Sequence, residues 1–271
     1  MIKRQVEGLE VLSCAPRGKG VKNPQATPLL FVHGAFAGAW VWDDHFLPYF
    51  AEQGYHAHAL SVRGHGESYG HEHLDAFSVH DFVDDLVTVI DDLGTAPILI
   101  GHSMGGFIVQ KYLERHTVPA AVLMCSVPPQ GLIAAQFSML FQKPGLMMEL
   151  NRLLGGEDVP LEVLREALFA EDIPQATLER YYRKMQQESQ RAIWDMSMFN
   201  LPLLDRMHRP PMLVLGAEHD ALMPAFLVQT TAQTYGVPCK IFRGLGHGVM
   251  LERDWLHVAE TVRDWLAEQA S

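Results

Sequence analysis

LIGHSMGG, Leu99–Gly106, is the stretch that decides how this chain is read. An apolar run stops at a glycine, a serine sits between His102 and Met104, and two more glycines follow. Outward from it, PILIGHS (97–103) has the near-continuous apolar character of a buried strand, and FIVQKYLERH (107–116) reads as a helix. Gly101, Ser103 and Gly105 fit the pattern G-x-S-x-G at that strand-to-helix turn. A sharp turn holds such a serine in a strained backbone conformation, and side chains at the flanking positions would strike the strand and the helix. The hydroxyl is then exposed at the head of a helix, beside the Met104 N–H. An ordinary loop serine is the plain alternative. The strand before and the helix after favour a nucleophile.

A serine hydroxyl is a weak nucleophile until a base removes its proton. Of the 14 histidines, His247 in FRGLGHGVMLERDWL follows the last predicted strand, lies between glycines and precedes the C-terminal helix. It is the expected general base. A base needs an acid to orient it and to stabilise its charged form. Asp220 in LVLGAEHDALMP lies just beyond the preceding strand, whereas Glu218 falls two residues early, still on the strand. A transient oxyanion needs two N–H donors. Met104 supplies one, and the loop HGAFAGAW after LLFVHG supplies the other, from Ala35 with Phe36 next in order.

The rest of the chain frames these residues. Predicted strands are LLFVHG (29–34), YHAHALSV (55–62), PILIGHS (97–103), AAVLMCS (120–126), MLVLGAE (212–218) and CKIFRG (239–244). Continuous apolar strands alternating with helices imply a mostly parallel, doubly wound sheet, an α/β fold. In SVHDFVDDLVTVIDDLG, Phe82, Leu86, Val89 and Leu93 recur at helical spacing. Ser78 and Asp81 suit a capping box there, and Gly94 suits the stop. WLHVAETVRDWL closes the chain as another amphipathic helix, and residues 5–30 are expected to hold one or two antiparallel edge strands. No strand pattern appears from about 130 to 209, where FSMLFQKPGLMMELNRLL and LERYYRKMQQESQRAIWDM read as helices and seven of the 13 methionines fall. The expected organisation is a core of residues 1–129 and 210–271 with a helical cap inserted over 130–209. Methionine adapts to variable apolar shapes, so Met139 and Met147, with Phe137 and Phe36, are the candidate substrate-binding residues.

Composition sets the outer limits. With 271 residues, 48% apolar and 20% charged, the chain can bury one large core. A net charge of −11 argues against nucleic acid as a partner, because phosphate backbones select basic surfaces. Cys14, Cys125 and Cys239 show no metal-ligand or disulfide spacing, so no metal is expected. His71 and His73 could pair on a metal, but no third ligand is evident, and with His65 they read as a solvated loop. Trp40 and Trp42 read as packing residues beside the oxyanion loop. No apolar run approaches the ~18 residues of a membrane span, and MIKRQVEGLE has no apolar signal core. The expected compartment is the cytoplasm, and the oligomeric state, monomer or homodimer, stays open.

Together HGAFAGAW (33–40), SVRGHGES (61–68), GHSMGG (101–106), GAEHDALMP (216–224) and GLGHGVMLE (244–252) resemble the α/β-hydrolase superfamily over essentially the whole chain. Within it the chain resembles the serine carboxylesterase and monoacylglycerol-lipase-like branch, and HGAFAGAW also resembles the plant methylesterase and hydroxynitrile lyase group. The order Ser103, Asp220, His247 is that superfamily's order. Some of its members place the acid after the strand AAVLMCS, where this chain offers only Cys125 and Ser126. One departure stands out: an aspartate commonly precedes R-G-H-G by two residues, and Ser61 occupies that place here. Haloalkane dehalogenases and epoxide hydrolases of this fold use an aspartate at the elbow, which Ser103 replaces. Hydroxynitrile lyases use a lysine near the histidine, where Gly248 stands here and the next basic residue is Arg253. The serine, histidine and aspartate imply an ester hydrolase that needs no cofactor, and the apolar, methionine-rich cap with FSMLFQKPGLMMEL implies lipophilic short- to medium-chain or monoacylglycerol-like substrates. Thioesterase, amidase, perhydrolase, acyltransferase, carbon–carbon hydrolase and slow-turnover receptor use the same framework and stay open.

Overall fold

A computed structural model describes residues 1–17 and 27–269. In chain order its elements begin with β1 (Ile2–Val6), β2 (Leu9–Cys14), β3 (Leu29–Val32), α1 (Phe46–Glu52), β4 (Ala57–Leu60), α2 (Val79–Leu93), β5 (Ile98–His102), α3 (Met104–Tyr112) and β6 (Ala121–Met124). Then come α4 (Ile133–Gln142), α5 (Pro144–Leu154), α6 (Leu161–Leu168), α7 (Gln175–Tyr182) and α8 (Gln190–Trp194). β7 (Met212–Ala217), α9 (Ala225–Tyr235), β8 (Cys239–Phe242) and α10 (Trp255–Gln269) complete the chain. Each of the six predicted strands is present. β1 and β2 are the expected antiparallel edge pair, although residues 18–26 of that predicted interval lie outside the described residues.

The strands form one sheet in the order β1-β2-β4-β3-β5-β6-β7-β8. β2 runs antiparallel to β4, and from β4 to β8 every pairing is parallel. Side chains alternate across a strand, and here both faces are apolar. Phe31, Ile100, Val122 and Leu215 face α1 and α10, where Phe46, Phe50, Val258 and Trp265 cover them. Leu30, Val32, Leu99, Leu123 and Val214 face the other way onto Phe82 and Leu86 of α2, Phe107 of α3 and Val228 of α9. Full burial of one such side chain stabilises by roughly 1.5–3 kcal/mol. Continuous apolar strands are therefore the signature of this double coverage. α2 starts with the predicted capping box, Ser78 and Asp81 each accepting from the other's backbone N–H, and ends at Gly94 with φ +68°.

Among the described residues all eight strands lie within 1–129 and 210–271, and α4–α8 occupy the interval between β6 and β7. The two long helices predicted there are each broken. Lys143 leaves helical geometry (φ −140°, ψ 59°) and Pro144 opens α5, as suits a residue without an N–H. α7 stops after Tyr182, because Gln186 and Glu188 turn inward to hydrogen-bond the core loops. Among the described residues no helix is long and apolar enough to cross a membrane.

Candidate active site

The loops that follow β3, β5, β7 and β8 converge at the C-terminal edge of the parallel strands, the edge where open α/β sheets bind ligands. Ser103 sits between β5 and α3 with φ 53° and ψ −116°. Such a conformation in a residue with a Cβ costs of order 1–3 kcal/mol and persists only where surroundings impose it. The Ser103 N–H donates to the Met124 carbonyl at 3.0 Å, and α3 is pressed so close that a Cβ on Gly105 would lie 2.2 Å from the Val32 carbonyl oxygen. Glycine at 105 is a requirement of that approach. The Ser103 hydroxyl takes no hydrogen bond among the described residues and lines a cavity of about 210 Å³ shared with His247.

His247 Nδ1 lies 2.8 Å from Asp220 Oδ2, both side chains buried. The other oxygen of Asp220 accepts from the N–H groups of Leu222 (2.9 Å) and Met223 (2.7 Å). An acceptor at Nδ1 fixes the tautomer with its proton there, leaving Nε2 as the free lone pair. Two further contacts hold the His247 loop. His102 Nε2 donates to the His247 carbonyl at 2.9 Å, and the buried Glu252 accepts from Gly246 N (2.8 Å) and Ala170 N (2.7 Å). Burial, and then the nearness of His247, hold His102 well below the ordinary imidazole range, so it is neutral.

On the loop HGAFAGAW (33–40) the structure separates the two candidate donors. Ala35 and Met104 both line the cavity, and neither N–H is engaged among the described residues. The Phe36 N–H is already donated to Glu188 Oε2 at 3.2 Å, so it is not available to a substrate. Phe36 itself has φ 62°. His33 braces the loop: its Nδ1 donates to the Gly34 carbonyl (2.8 Å) and its Nε2 accepts from Val62 N (3.2 Å). Burial, with the charge of His65 as the second cause, lowers the His33 pKa to about 3 and keeps it neutral.

The cavity walls are almost wholly apolar. Phe36, Met139 and Met147 line it, joined by Met185 and Met196 of the predicted methionine cluster and by Met250. Phe137 does not: it is 57% exposed on the outer side of α4, because Ala135, Gln136 and Met139 take the inner side. Trp42 is core, packed on Phe31 and Phe46, whereas Trp40 reaches the cavity wall and stacks on Tyr181. Among the described lining residues there is no Asp, Glu, Lys or Arg; Gln136 and Asn151 are the amides.

The loop GHGESYGHEH divides. His71 and His73 are exposed, but His65 is fully buried and its Nε2 lies 3.0 Å from Glu188 Oε2, which corrects the solvated-loop reading for that residue. Ser61, in the place where the family commonly has an aspartate, donates to Glu10 Oε2 at 2.7 Å and accepts from Ala39 N at 2.8 Å. Glu10 Oε2 also accepts from Glu67 N, so a carboxylate anchors this loop from β2 instead. The sequence signal was the lone Glu in a buried strand. His102, Cys125 and His247 bring donor atoms within 4.8 Å of one another. Yet one nitrogen of each histidine is committed, and burial, with the Asp220 charge next, raises the Cys125 thiol well above its usual range. That opposes the thiolate a metal needs.

The strand order and the loop-borne serine, histidine and aspartate define an α/β hydrolase. The chain belongs to the alpha/beta hydrolase family, whose model matches residues 29–260. It is 30% identical over 159 residues to epoxide hydrolase A of Mycobacterium tuberculosis, 49% of each chain. It is 27% identical over 236 residues to the monoacylglycerol lipase of Mycolicibacterium smegmatis, 82% of this chain and 81% of that one. The chain spans half the length or less of several other curated relatives it matches. Among solved structures, an esterase of Exiguobacterium antarcticum superposes with a TM-score of 0.72 at 18% identity, over 97% of this chain and 96% of that one.

Proposed function

We propose that the protein is a serine hydrolase of carboxylic esters, working through an acyl-enzyme on Ser103. The observation that carries this reading is the Asp220–His247 hydrogen bond at the wall of an apolar cavity that also bears the strained, unbonded Ser103 hydroxyl. Ser103 Oγ attacks the ester carbonyl as its proton passes to His247 Nε2, and the Asp220 carboxylate stabilises the imidazolium. The tetrahedral oxyanion is held by the Ala35 and Met104 N–H groups. The intermediate collapses, the C–O bond to the alcohol breaks, and His247 returns the proton to the leaving oxygen. Water then attacks the acyl-enzyme by the same route, releasing the acid and restoring Ser103. No metal or organic cofactor enters these steps.

In this reading residues 130–209 serve as a cap over the core of 1–129 and 210–271. A cavity without charged walls favours an uncharged, lipophilic acyl or alcohol group, of short- to medium-chain or monoacylglycerol-like size. The similarity to a monoacylglycerol lipase over four fifths of both chains supports that class. The serine at the elbow separates the chain from the epoxide hydrolases it resembles over shorter stretches.

The test is release of p-nitrophenol from acetate, butyrate, octanoate and decanoate esters, beside Ser103→Ala. A burst followed by turnover, lost in the variant, supports the acyl-enzyme. A burst without turnover points to a receptor or an acyltransferase lacking its acceptor. No serine-dependent release sinks the ester reading.

A further inference from the structure

We propose that Glu188, with His65 as its buried counter-ion, is a positioning residue that couples the cap to the oxyanion loop, so that the oxyanion hole is fully formed only while this pair is intact. The inference rests on the hydrolase reading above. Glu188 belongs to the segment between α7 and α8, yet it is 1% exposed and sits against loops of the core. One of its oxygens, Oε2, receives both the Phe36 N–H and His65 Nε2, at 3.2 and 3.0 Å. Its Oε1 accepts from Ser189 N at 2.7 Å. Two residues earlier, Gln186 donates its own N–H to the Phe36 carbonyl and accepts from Gly66 N at 2.7 Å. The cap segment thus grips both polar groups of the Phe36 backbone, directly after Ala35.

That grip has a consequence for catalysis. Phe36 is held at φ 62°, a conformation a phenylalanine does not keep unaided. Relaxing it would rotate the peptide next to Ala35, and oxyanion donors work only when their N–H vectors are fixed before the reaction. Phe36, Ala35 and Ser103 line the same cavity, so the effect would fall on the reacting carbonyl.

The partner fixes a protonation state. His65 Nδ1 lies 3.0 Å from the Arg63 carbonyl and Nε2 faces the Glu188 carboxylate. Both partners are acceptors, so both ring nitrogens carry protons and the ring is an imidazolium. Burial opposes that charge, but Glu188, the Arg63 carbonyl and Asp85 outweigh it and raise the His65 pKa. The other groups around the ring are the Arg63 guanidinium, paired with Asp81 and Asp85 of α2, the neutral His33 of the oxyanion loop and the edge-on Phe82. As pH rises through the raised pKa, one donor becomes a lone pair aimed at an acceptor. The grip then loosens.

The experiment compares wild type with Glu188→Ala, Glu188→Gln and His65→Gln. Three quantities are read: kcat and KM for p-nitrophenyl butyrate, the rate at which an alkyl p-nitrophenyl phosphonate modifies Ser103, and the pH profile of kcat. Misplacing one oxyanion donor predicts a fall of about 10- to 100-fold in kcat and in phosphonylation for Glu188→Ala, with KM changed less than about threefold. Glu188→Gln, which keeps an acceptor for the Phe36 N–H, recovers part of the loss. Wild type shows an alkaline decline that His65→Gln lacks. Unchanged kcat and phosphonylation in the folded variants, or a loss carried wholly by KM, overturns the proposal. Should Glu188→Ala fail to fold, persistence of the alkaline decline in His65→Gln overturns it instead. A wild type that is phosphonylated at Ser103 yet hydrolyses no ester sinks the ester reading alone, and the phosphonylation rates still decide this one.

Discussion

His102 Nε2 donates a 2.9 Å hydrogen bond to the backbone carbonyl of His247, so the residue before the proposed nucleophile fastens the loop that carries its proposed base. The rings lie 4.6 Å apart, centre to centre. His102→Leu removes the donor and leaves a buried carbonyl without a partner, which costs about 1–3 kcal/mol. A urea titration is expected to show that loss as a lower midpoint with an unchanged slope. With His247 loosened, kcat for p-nitrophenyl butyrate falls further than KM changes. A variant as active and as stable as wild type removes His102 from the account.

Buried and half-buried histidines give stability two opposite pH dependences. His33 and His58 are lowered to about 3 and about 4, in each case by burial first. An unfolded chain protonates them near 6.5 while the folded one does not, so their contribution is complete above 6.5 and is lost as pH falls. The slope is at most about 1.4 kcal/mol per pH unit for each. His65, raised, does the reverse: its contribution is complete below 6.5 and is lost as pH climbs through its folded pKa. Urea unfolding of His58→Gln between pH 6 and 4 should therefore show a shallower acid slope than wild type, and parallel slopes refute the assignment.

The sequence carries the features that are local or sterically forced, and not those made by distant residues. Strands such as Leu29–Val32 announce themselves because both faces are buried, and the turn at Ser103 because steric demand at Gly105 leaves only glycine. Ser78 and Asp81 act within one helical turn, so their pattern is local. Phe137 and Met139 are two residues apart and equally apolar, and only the rotation of α4 sends one to solvent and the other to the cavity. Glu188 and His65 are 123 residues apart, and nothing in either neighbourhood signals that both are buried. Long-range polar pairs carry no periodicity, and a glycine-rich, polar stretch around His65 looks solvated until the cap segment covers it.

Arg63 and Asp85 test the loop that carries His65. Asp85, 1% exposed on α2, accepts from Arg63 N at 2.7 Å and from Arg63 Nε at 2.8 Å. Without Asp85 the Arg63 N–H loses its acceptor and the guanidinium keeps only the 3.4 Å contact to Asp81, an expected loss of about 1–3 kcal/mol. Asp85→Ala is expected to lower the urea midpoint accordingly. Because the Arg63 carbonyl also receives His65 Nδ1, the same variant should lose the alkaline decline of kcat. Asp85→Ala with wild-type stability would show that the pair contributes nothing net.

Chain-length selectivity follows from which methionines face inward. Burying one methylene is worth about 0.8 kcal/mol, so kcat/KM is expected to rise about fourfold per added methylene from acetate upward until the acyl chain meets the far wall. Met139 on α4 and Met147 on α5 form part of that wall, and Phe137 does not. Met147→Trp adds volume inside the cavity and should end the rise at a shorter chain, whereas Phe137→Ala should leave the ranking as it is. The p-nitrophenyl ester series read for the three proteins decides between them. A ranking that moves with Phe137 and not with Met147 would mean that the acyl chain lies along the outside of α4, not in the cavity.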